Sequence, residues 1–260
     1  MTFSTPASRS CLLSLFVLSG SVILPAQGQD DVVYPANAPD ASYAELDKLP
    51  DFRGLWFPAF AFGSGPAEEP KLIGAAKEFY ETETAKVAAD PNYEIPEGPN
   101  NCEPPGMPYF MTMPYSIEFL FTPGKITVMQ EAHMMVRRIF TDGRPFPEEP
   151  DPGYFGDSRG HWEGDTLVVE TRNTRAGQRL GVAGIYNSED LVIHERLYLD
   201  KDNPDTLHLD FTYEDPNVLE QPWHLSHTFR RDRTWEMLEY ICDENDRHPV
   251  DANGQTQADF

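Results

Sequence analysis

A succession of short apolar segments separated by turns limits the possible folds of this chain more than any other feature. From Ser116 onward the segments recur about every ten residues, a spacing typical of β-sandwiches and up-and-down barrels. Consecutive hairpins leave two exposed sheet edges unless the sheet closes on itself. We therefore predict an all-β, mainly antiparallel, up-and-down barrel. Its predicted strands are 117–121, 126–133, 135–140, 162–171 with a tight turn at 163–165, 191–199, 207–213, 223–230 and 235–242, with hairpin connections at 203–205 and 231–233.

The first 28 residues have the pattern of a secretory signal peptide. Arg9 supplies a positive charge, an apolar run extends from Cys11 to Pro25, and small residues follow at 26–28. The run is interrupted by serines and is shorter than the roughly 20 apolar residues that a membrane-spanning helix needs. We predict a cleaved signal peptide and a periplasmic or secreted protein without a membrane span. An uncleaved anchor is the alternative.

The region before the strands divides into a leader, a helix and a proline-rich loop. Residues 29–50 lack hydrophobic periodicity and are predicted to form an extended leader. Apolar residues at helical spacing predict a helix over 69–89, which Asp90-Pro91 would stop. The helix and the proline-rich loop, residues 69–115, would cover a barrel domain of residues 51–245. Residues 246–260 are predicted to be a flexible acidic tail.

Two cysteines remain after the signal peptide, Cys102 and Cys242. In an oxidising compartment the simplest prediction is a disulfide between them. The disulfide would close a loop of about 140 residues and stabilise the fold by roughly 3 to 5 kcal/mol. Two buried free thiols are the alternative.

The charge balance and the missing motifs exclude several functional classes. The net charge of −23 disfavours nucleic acid as a partner. The sequence contains neither a glycine-rich phosphate loop after a strand nor a Gly-x-Ser-x-Gly elbow, so nucleotide use and common serine hydrolase chemistry have no support. We predict no cofactor.

A short motif near the start of the barrel region resembles one found in lipocalins and other calycins. Gly54-Leu55-Trp56, preceded by Phe52-Arg53, is similar to the Gly-x-Trp that opens their first strand. The resemblance implies a calycin-like barrel in which a late arginine packs across Trp56. The candidates are Arg230, Arg231 and Arg233.

Longer motifs over roughly residues 100–245 resemble an uncharacterised family of exported bacterial proteins. The resemblance implies export and no particular activity. The matching stretches are Cys102 with Gly106-Met107-Pro108, RRIFTDGR at 137–144, WEGDTLVV at 162–169, Glu214-Asp215-Pro216 and Cys242-x-Glu244-Asn245.

Strand alternation predicts which ionisable side chains point into the barrel. Residues i and i+2 share a face, and the apolar face is the inner one. The face that includes residues 129–139 would lose its register at a turn near Ala132. The ionisable residues expected inside are Glu131, His133, Arg137, Glu195, His227 and Glu239.

These residues form a candidate acid–base site, because a buried carboxylate must be paired or protonated and burial moves its pKa toward the working pH. We predict that Glu195, Glu131 and His133 act as acid and base and that Arg137 orients the substrate or stabilises developing negative charge. Glu239 and His227 would support them. The alternative is an internal ion-pair network in which Arg137 or Arg138 neutralises Glu131 or Glu195.

A metal site is a weaker hypothesis from the same residues. Glu131-x-His133 places two possible ligands close together, and His161 or His227 would complete a set of three. Many proteins contain two such residues and a distant histidine without binding a metal, so we predict no metal site.

The proline-rich loop also carries many adaptable apolar side chains between Met107 and Tyr115, which would suit a pocket mouth or simple core packing. Tyr109, Met111 and Trp223 are predicted to bind substrate. The sequence thus predicts a barrel that binds a hydrophobic, aromatic or terpenoid-like small molecule and catalyses a cofactor-free isomerase, lyase or cyclase reaction. A carrier of the same fold without catalysis is the alternative, and a structural envelope protein is a third class.

Overall fold

The strand region forms a closed nine-stranded barrel whose ring order follows the chain order. The computed structural model describes residues 42–59, 68–90, 92–95, 104–181 and 184–240, without the side chain of His133. The predicted all-β barrel is confirmed. The strands are β1 (Leu55–Pro58), β2 (Ile117–Thr122), β3 (Lys125–Gln130), β4 (Met135–Phe140), β5 (Asp157–Glu163), β6 (Thr166–Arg172), β7 (Val192–Leu199), β8 (Thr206–Glu214) and β9 (Trp223–Asp232).

One pair of neighbouring strands departs from the antiparallel pattern. β4 and β5 run parallel, so the connection 141–156 must return along the length of the barrel. Outward-facing side chains fix this connection to the wall: the Arg144 guanidinium lies 3.9 Å from the Phe140 ring centre, and the Arg159 guanidinium lies 5.0 Å from that of Phe146. Such stacking is a favourable cation–π arrangement.

The predicted C-terminal strand 235–242 is not formed over residues 235–240. β9 continues through Arg231 to Asp232, so the predicted turn at 231–233 is also wrong. Since β9 already pairs with β1 and closes the ring, no free edge remains for another strand. Trp235 instead packs against Phe57 of β1, with ring centres 6.0 Å apart.

Strand β3 ends earlier than predicted. It stops at Gln130, and the residues that follow form a 3₁₀ helix, Ala132–Met134, before β4 begins. The predicted turn at 163–165 is confirmed, with Gly164 at a φ of +60° between β5 and β6. Such a left-handed position strongly favours glycine.

A late arginine packs across Trp56 at the end of the barrel where β1 begins, as expected. Trp56 is fully buried, and the Arg231 guanidinium lies 4.6 Å from its ring centre. Arg231 also donates hydrogen bonds to the backbone oxygens of Asp51 and, at 3.1 Å, Arg53. The first and last strands are thereby tied together where they close the ring.

Helices lie at the two ends of the barrel. Helix α1 (Tyr43–Leu46) precedes β1, within what was predicted to be an extended leader. Helix α2 (Gly74–Ala89) begins later than the predicted residue 69, because Leu72 is held extended in a bridge with Leu219. A third segment, residues 104–116 with a 3₁₀ helix at Tyr109–Met111, lies over the end opposite α1; we call it the cover.

No helix in the described ranges is long and apolar enough to cross a membrane. The predicted signal peptide, most of the leader, Cys102, Cys242 and the acidic tail lie outside the described residues.

Candidate functional site

A buried ion pair lies in the half of the barrel nearest the cover. Arg137 of β4 and Glu195 of β7 both point inward, and neither side chain has any exposed surface. Nη1 of Arg137 donates to Oε1 of Glu195 at 2.8 Å, and Nη2 donates to Oε2. This bidentate geometry is the strongest form of an arginine–carboxylate pair. Of the pairings that the sequence left open, the structure forms Arg137 with Glu195.

Two hydroxyl groups complete the surroundings of Arg137. Its Nη2 donates to Thr171 Oγ1 at 2.9 Å and to Ser158 Oγ at 3.1 Å, and its Nε donates to Ser158 at 3.3 Å. Ser158 and Thr171 lie opposite each other on β5 and β6, with their oxygens 2.8 Å apart. Arg137, Ser158, Thr171 and Glu195 therefore form one band across four consecutive strands, which we call the polar belt.

Two fully buried polar side chains, one in contact with the cover and one beside the polar belt, retain atoms without a hydrogen-bond partner among the described residues. They are the hydroxyl of Tyr213 on β8 and Oε1 of Gln130 at the end of β3. Gln130 uses its Nε2 to donate to the backbone oxygen of Phe110 in the cover at 2.5 Å. A buried polar atom without a partner costs about 1–3 kcal/mol, so native proteins keep few of them.

Tyr213 stays protonated at neutral pH. Burial raises its pKa well above the usual 10, and the negative charge of Glu195 adds to the effect, while Arg137 opposes it. The phenol is therefore a neutral hydrogen-bond donor at the edge of the polar belt.

Two predicted residues of β9 line the same half of the barrel. Trp223 is buried opposite Tyr213 and donates from Nε1 to the backbone oxygen of Glu68 at 2.8 Å. His227 faces inward beside Phe211, with ring centres 6.0 Å apart. Burial lowers the pKa of His227 below 6.5, so the ring is neutral at pH 7.

The cover closes this end with apolar side chains. It is anchored at Met107, whose backbone nitrogen donates to Tyr154 O at 2.8 Å, and at Phe110, whose ring centre lies 5.2 Å from that of Phe155. Gly106 permits the close approach, because a Cβ there would lie 2.7 Å from Tyr154 O. Of the predicted ligand contacts, Met111 is buried in the cover and Tyr109 is half-buried.

Other predicted site residues are not brought to the belt. Glu131 follows β3 outside the ladder, where its Oε2 accepts from the Ser116 hydroxyl at 2.6 Å. Glu239 is exposed and belongs to no strand, so its predicted place inside the barrel is wrong. His161 faces outward with 65% of its side chain exposed and lies 3.3 Å from Glu163. Within the described residues, no three His, Cys, Asp or Glu side chains are grouped to hold a metal ion.

A separate groove lies at the opposite end, between α1 and β2. It has a volume of about 490 Å³, a size that suits a small ligand. Leu120, with 42% of its surface exposed, contributes to its wall. The other residues that line it are Tyr43, Leu46, Asp47, Leu49, Pro50, Asp51, Phe52, Arg53, Phe119 and Phe121.

Four functional candidates were missed in the sequence: Ser158, Thr171, Tyr213 and Gln130. Thr171 and Tyr213 fall within predicted strands, so extending the inward alternation to hydroxyl-bearing residues would have found them. Ser158 lies in a polar stretch that was not predicted as a strand.

The described residues form a closed, mostly antiparallel β-barrel, consistent with a calycin-like fold, with a buried polar belt under a cover. No model of a known protein family and no curated protein matches the chain.

Proposed function

We propose that the protein is an exported carrier of a hydrophobic small molecule, which binds beneath the cover. The observation that carries this proposal is a pair of fully buried atoms, the Tyr213 hydroxyl and Gln130 Oε1, that have no hydrogen-bond partner in the described part of the chain. Ligand sites combine an apolar lining with a few convergent polar groups. A ligand that bonds to these two atoms would remove their desolvation cost.

The cover supports this proposal by its composition. Met107, Met111 and Met113 are all buried there beside Phe110. Methionine side chains are flexible and polarisable, so they repack around apolar ligands of different shapes. Arg137 and Glu195 have no exposed surface, so a ligand can reach the polar belt only if some of the protein around it moves, and we propose that the cover is that part.

Binding without catalysis fits the geometry better than the predicted acid–base reaction. Arg137 engages both carboxylate oxygens of Glu195, so a substrate proton would have to compete with this ion pair for them. Glu131 and Glu239 lie away from the belt. The isomerase, lyase or cyclase activity stays a prediction. We expect the bound ligand to be recovered chemically unchanged; its conversion, abolished by Glu195→Gln or His133→Ala, would instead support the enzyme.

Export is the second part of the proposal and rests on the signal-peptide pattern of residues 1–28. Fractionation of a producing bacterium should place the protein in the periplasm or the medium. N-terminal sequencing should then begin near residue 29. Recovery of the uncleaved chain from the membrane fraction would contradict export of a soluble carrier.

The binding function is tested by titrating the mature protein with N-phenyl-1-naphthylamine, an uncharged fluorophore that brightens in apolar surroundings. We expect saturable binding of one molecule with a dissociation constant in the micromolar range, as for a generic apolar probe. An absence of saturable binding would overturn the proposal.

A variant in the groove between α1 and β2 tests whether the fluorophore binds there or beneath the cover. Leu120→Arg adds a charge to the wall of the groove at an already exposed position, so the fold should tolerate it. If the probe binds beneath the cover, its affinity stays within about twofold of the wild-type value, a change worth only about 0.4 kcal/mol. A loss of binding in this variant would assign the ligand to the groove instead.

A further inference from the structure

Among the described residues, the two charges of the polar belt are already paired with each other. Arg137 is hydrogen-bonded through all three guanidinium nitrogens, to Glu195, Ser158 and Thr171. A ligand carboxylate would therefore have to compete with Glu195 for the guanidinium or lie beside that carboxylate and be repelled by it. Loss of the pairing would leave the Glu195 carboxylate buried without its counter-charge, and two carboxylates beside one guanidinium leave one negative charge in excess; both are unfavourable.

The same pair also disfavours a cationic ligand. Both oxygens of Glu195 accept hydrogen bonds from Arg137. An ammonium group entering this region would lie beside a neutral pair and would lose its hydration without a free carboxylate in return. The belt thus disfavours ligands of either charge.

The two remaining polar atoms specify opposite hydrogen-bond roles. The backbone oxygen of Phe110 can only accept, so the amide nitrogen of Gln130 faces it and Oε1 is left as an acceptor. Tyr213 is a neutral phenol that can donate from its hydroxyl. A ligand hydroxyl both donates and accepts, so it can bond to either residue or to both.

From these contacts we infer that the ligand beneath the cover is an uncharged lipophilic alcohol and not a fatty acid or an amine. The inference rests on the binding function proposed above and names the chemical class of that ligand. The apolar part of the alcohol would pack among the methionines of the cover, with its hydroxyl toward Tyr213 and Gln130.

A matched set of competitors tests the inference on the wild-type protein. 1-Dodecanol, dodecanoate and dodecylamine share one chain and differ in the charge of the head group at pH 7. Each is used below its aggregation concentration to displace N-phenyl-1-naphthylamine. We expect dodecanol to bind at least about tenfold more tightly than either charged compound, because each charged head group would be buried without a partner. Equal or tighter binding of dodecanoate or dodecylamine would overturn the inference while leaving the carrier function intact.

A tyrosine variant tests the assigned contact. Tyr213→Phe removes only the hydroxyl, and we expect it to weaken dodecanol binding about three- to tenfold while the affinity for the fluorophore changes less than about twofold. Tyr198→Phe is the control, since Tyr198 lies on β7 with its hydroxyl 3.1 Å from Asp210 outside the barrel. An equal loss for dodecanol and the fluorophore in Tyr213→Phe would indicate a structural role and overturn the assignment. If the wild-type protein binds no fluorophore, the carrier function itself fails, and the inference fails with it.

Discussion

Arg137 and Glu195 face each other across the barrel interior as a bidentate ion pair with no exposed surface on either side chain. Transferring two charges from water into such an interior is costly, and their attraction often only offsets that cost. We therefore expect the pair to contribute more to the choice of which strands oppose each other than to net stability. Its main consequence for function is that each charge is already neutralised by the other, so neither is free to pair with a charged ligand.

Removal of either partner of the ion pair alone should strongly destabilise the fold. Arg137→Met and Glu195→Leu each leave one buried charge unpaired, so we expect each to lower the free energy of unfolding by about 3–5 kcal/mol. The double variant removes both charges and should cost clearly less than the two single changes together. Urea unfolding of the four proteins measures this coupling. Additive losses would show that the two side chains do not depend on each other.

Arg231 should contribute far more to the stability of the fold than Arg233, two residues further along the chain. Arg231 stacks on Trp56, donates to backbone oxygens and binds Asp205 at 2.7 Å with 1% of its side chain exposed. Lysine cannot reproduce this planar set of contacts, so Arg231→Lys should destabilise the fold by about 2 kcal/mol. Thermal and chemical unfolding measure the loss.

Arg233→Lys is the matched control for Arg231→Lys. Arg233 also contacts Asp205, at 3.2 Å, but 53% of its side chain is exposed. Because exposed ion pairs contribute little, we expect a change within about 0.5 kcal/mol. Similar losses in the two variants would contradict the role given to the stacked arginine.

His227 should make stability depend on pH. Burial lowers its pKa in the folded protein below the ordinary 6.5, so the unfolded chain takes up the proton first as pH falls. The contribution of neutral His227 to the free energy of unfolding is therefore fully present above about pH 6.5. It is lost as the pH falls from there through the lower pKa of the folded protein. Unfolding free energies measured between pH 7.5 and pH 5 should show a decline that His227→Gln reduces.

His224 provides the control for this pH effect. It lies on the same strand but faces outward, with Nδ1 2.9 Å from the Thr212 hydroxyl. His224→Gln should leave the decline in place. If His224→Gln and His227→Gln flatten the pH profile equally, burial of His227 is not its cause.

The disulfide between Cys102 and Cys242 stays a prediction from the sequence, since both residues lie outside the described ranges. Protein isolated from an oxidising compartment should resist thiol labelling until it is reduced, and its proteolytic digest should contain the linked peptide. Reduction should lower the free energy of unfolding by roughly 3 to 5 kcal/mol. Labelling of both cysteines without reduction would show two free thiols.

The sequence predicts the barrel well because each strand buries one face. A period of two between apolar residues then reports both the strand and its inner side. The same reasoning placed Arg137 and Glu195 inside. It failed for Glu239, where the alternation 235, 237, 239, 241 resembles a strand but the closed ring leaves no edge to pair with it.

Parts of the site depend on long-range geometry that local patterns do not contain. The turn at Asp142-Gly143 resembles a hairpin, yet β4 and β5 are parallel, and this brings Ser158 beside Arg137. Gln130 retains an unpartnered Oε1 because its Nε2 donates to the backbone oxygen of Phe110 in the cover, 20 residues earlier in the chain. Contacts of this kind are set by tertiary packing.

The central claim is that a ligand binds beneath the cover, between Gln130 and Tyr213. Amide hydrogen exchange followed by mass spectrometry, with and without 1-dodecanol, tests it most directly. The account predicts slower exchange in residues 104–116 and at the adjoining ends of β3 and β8, with no change in residues 43–53 beside the groove. Slower exchange confined to residues 43–53, or no change anywhere at a saturating concentration of dodecanol, would contradict it.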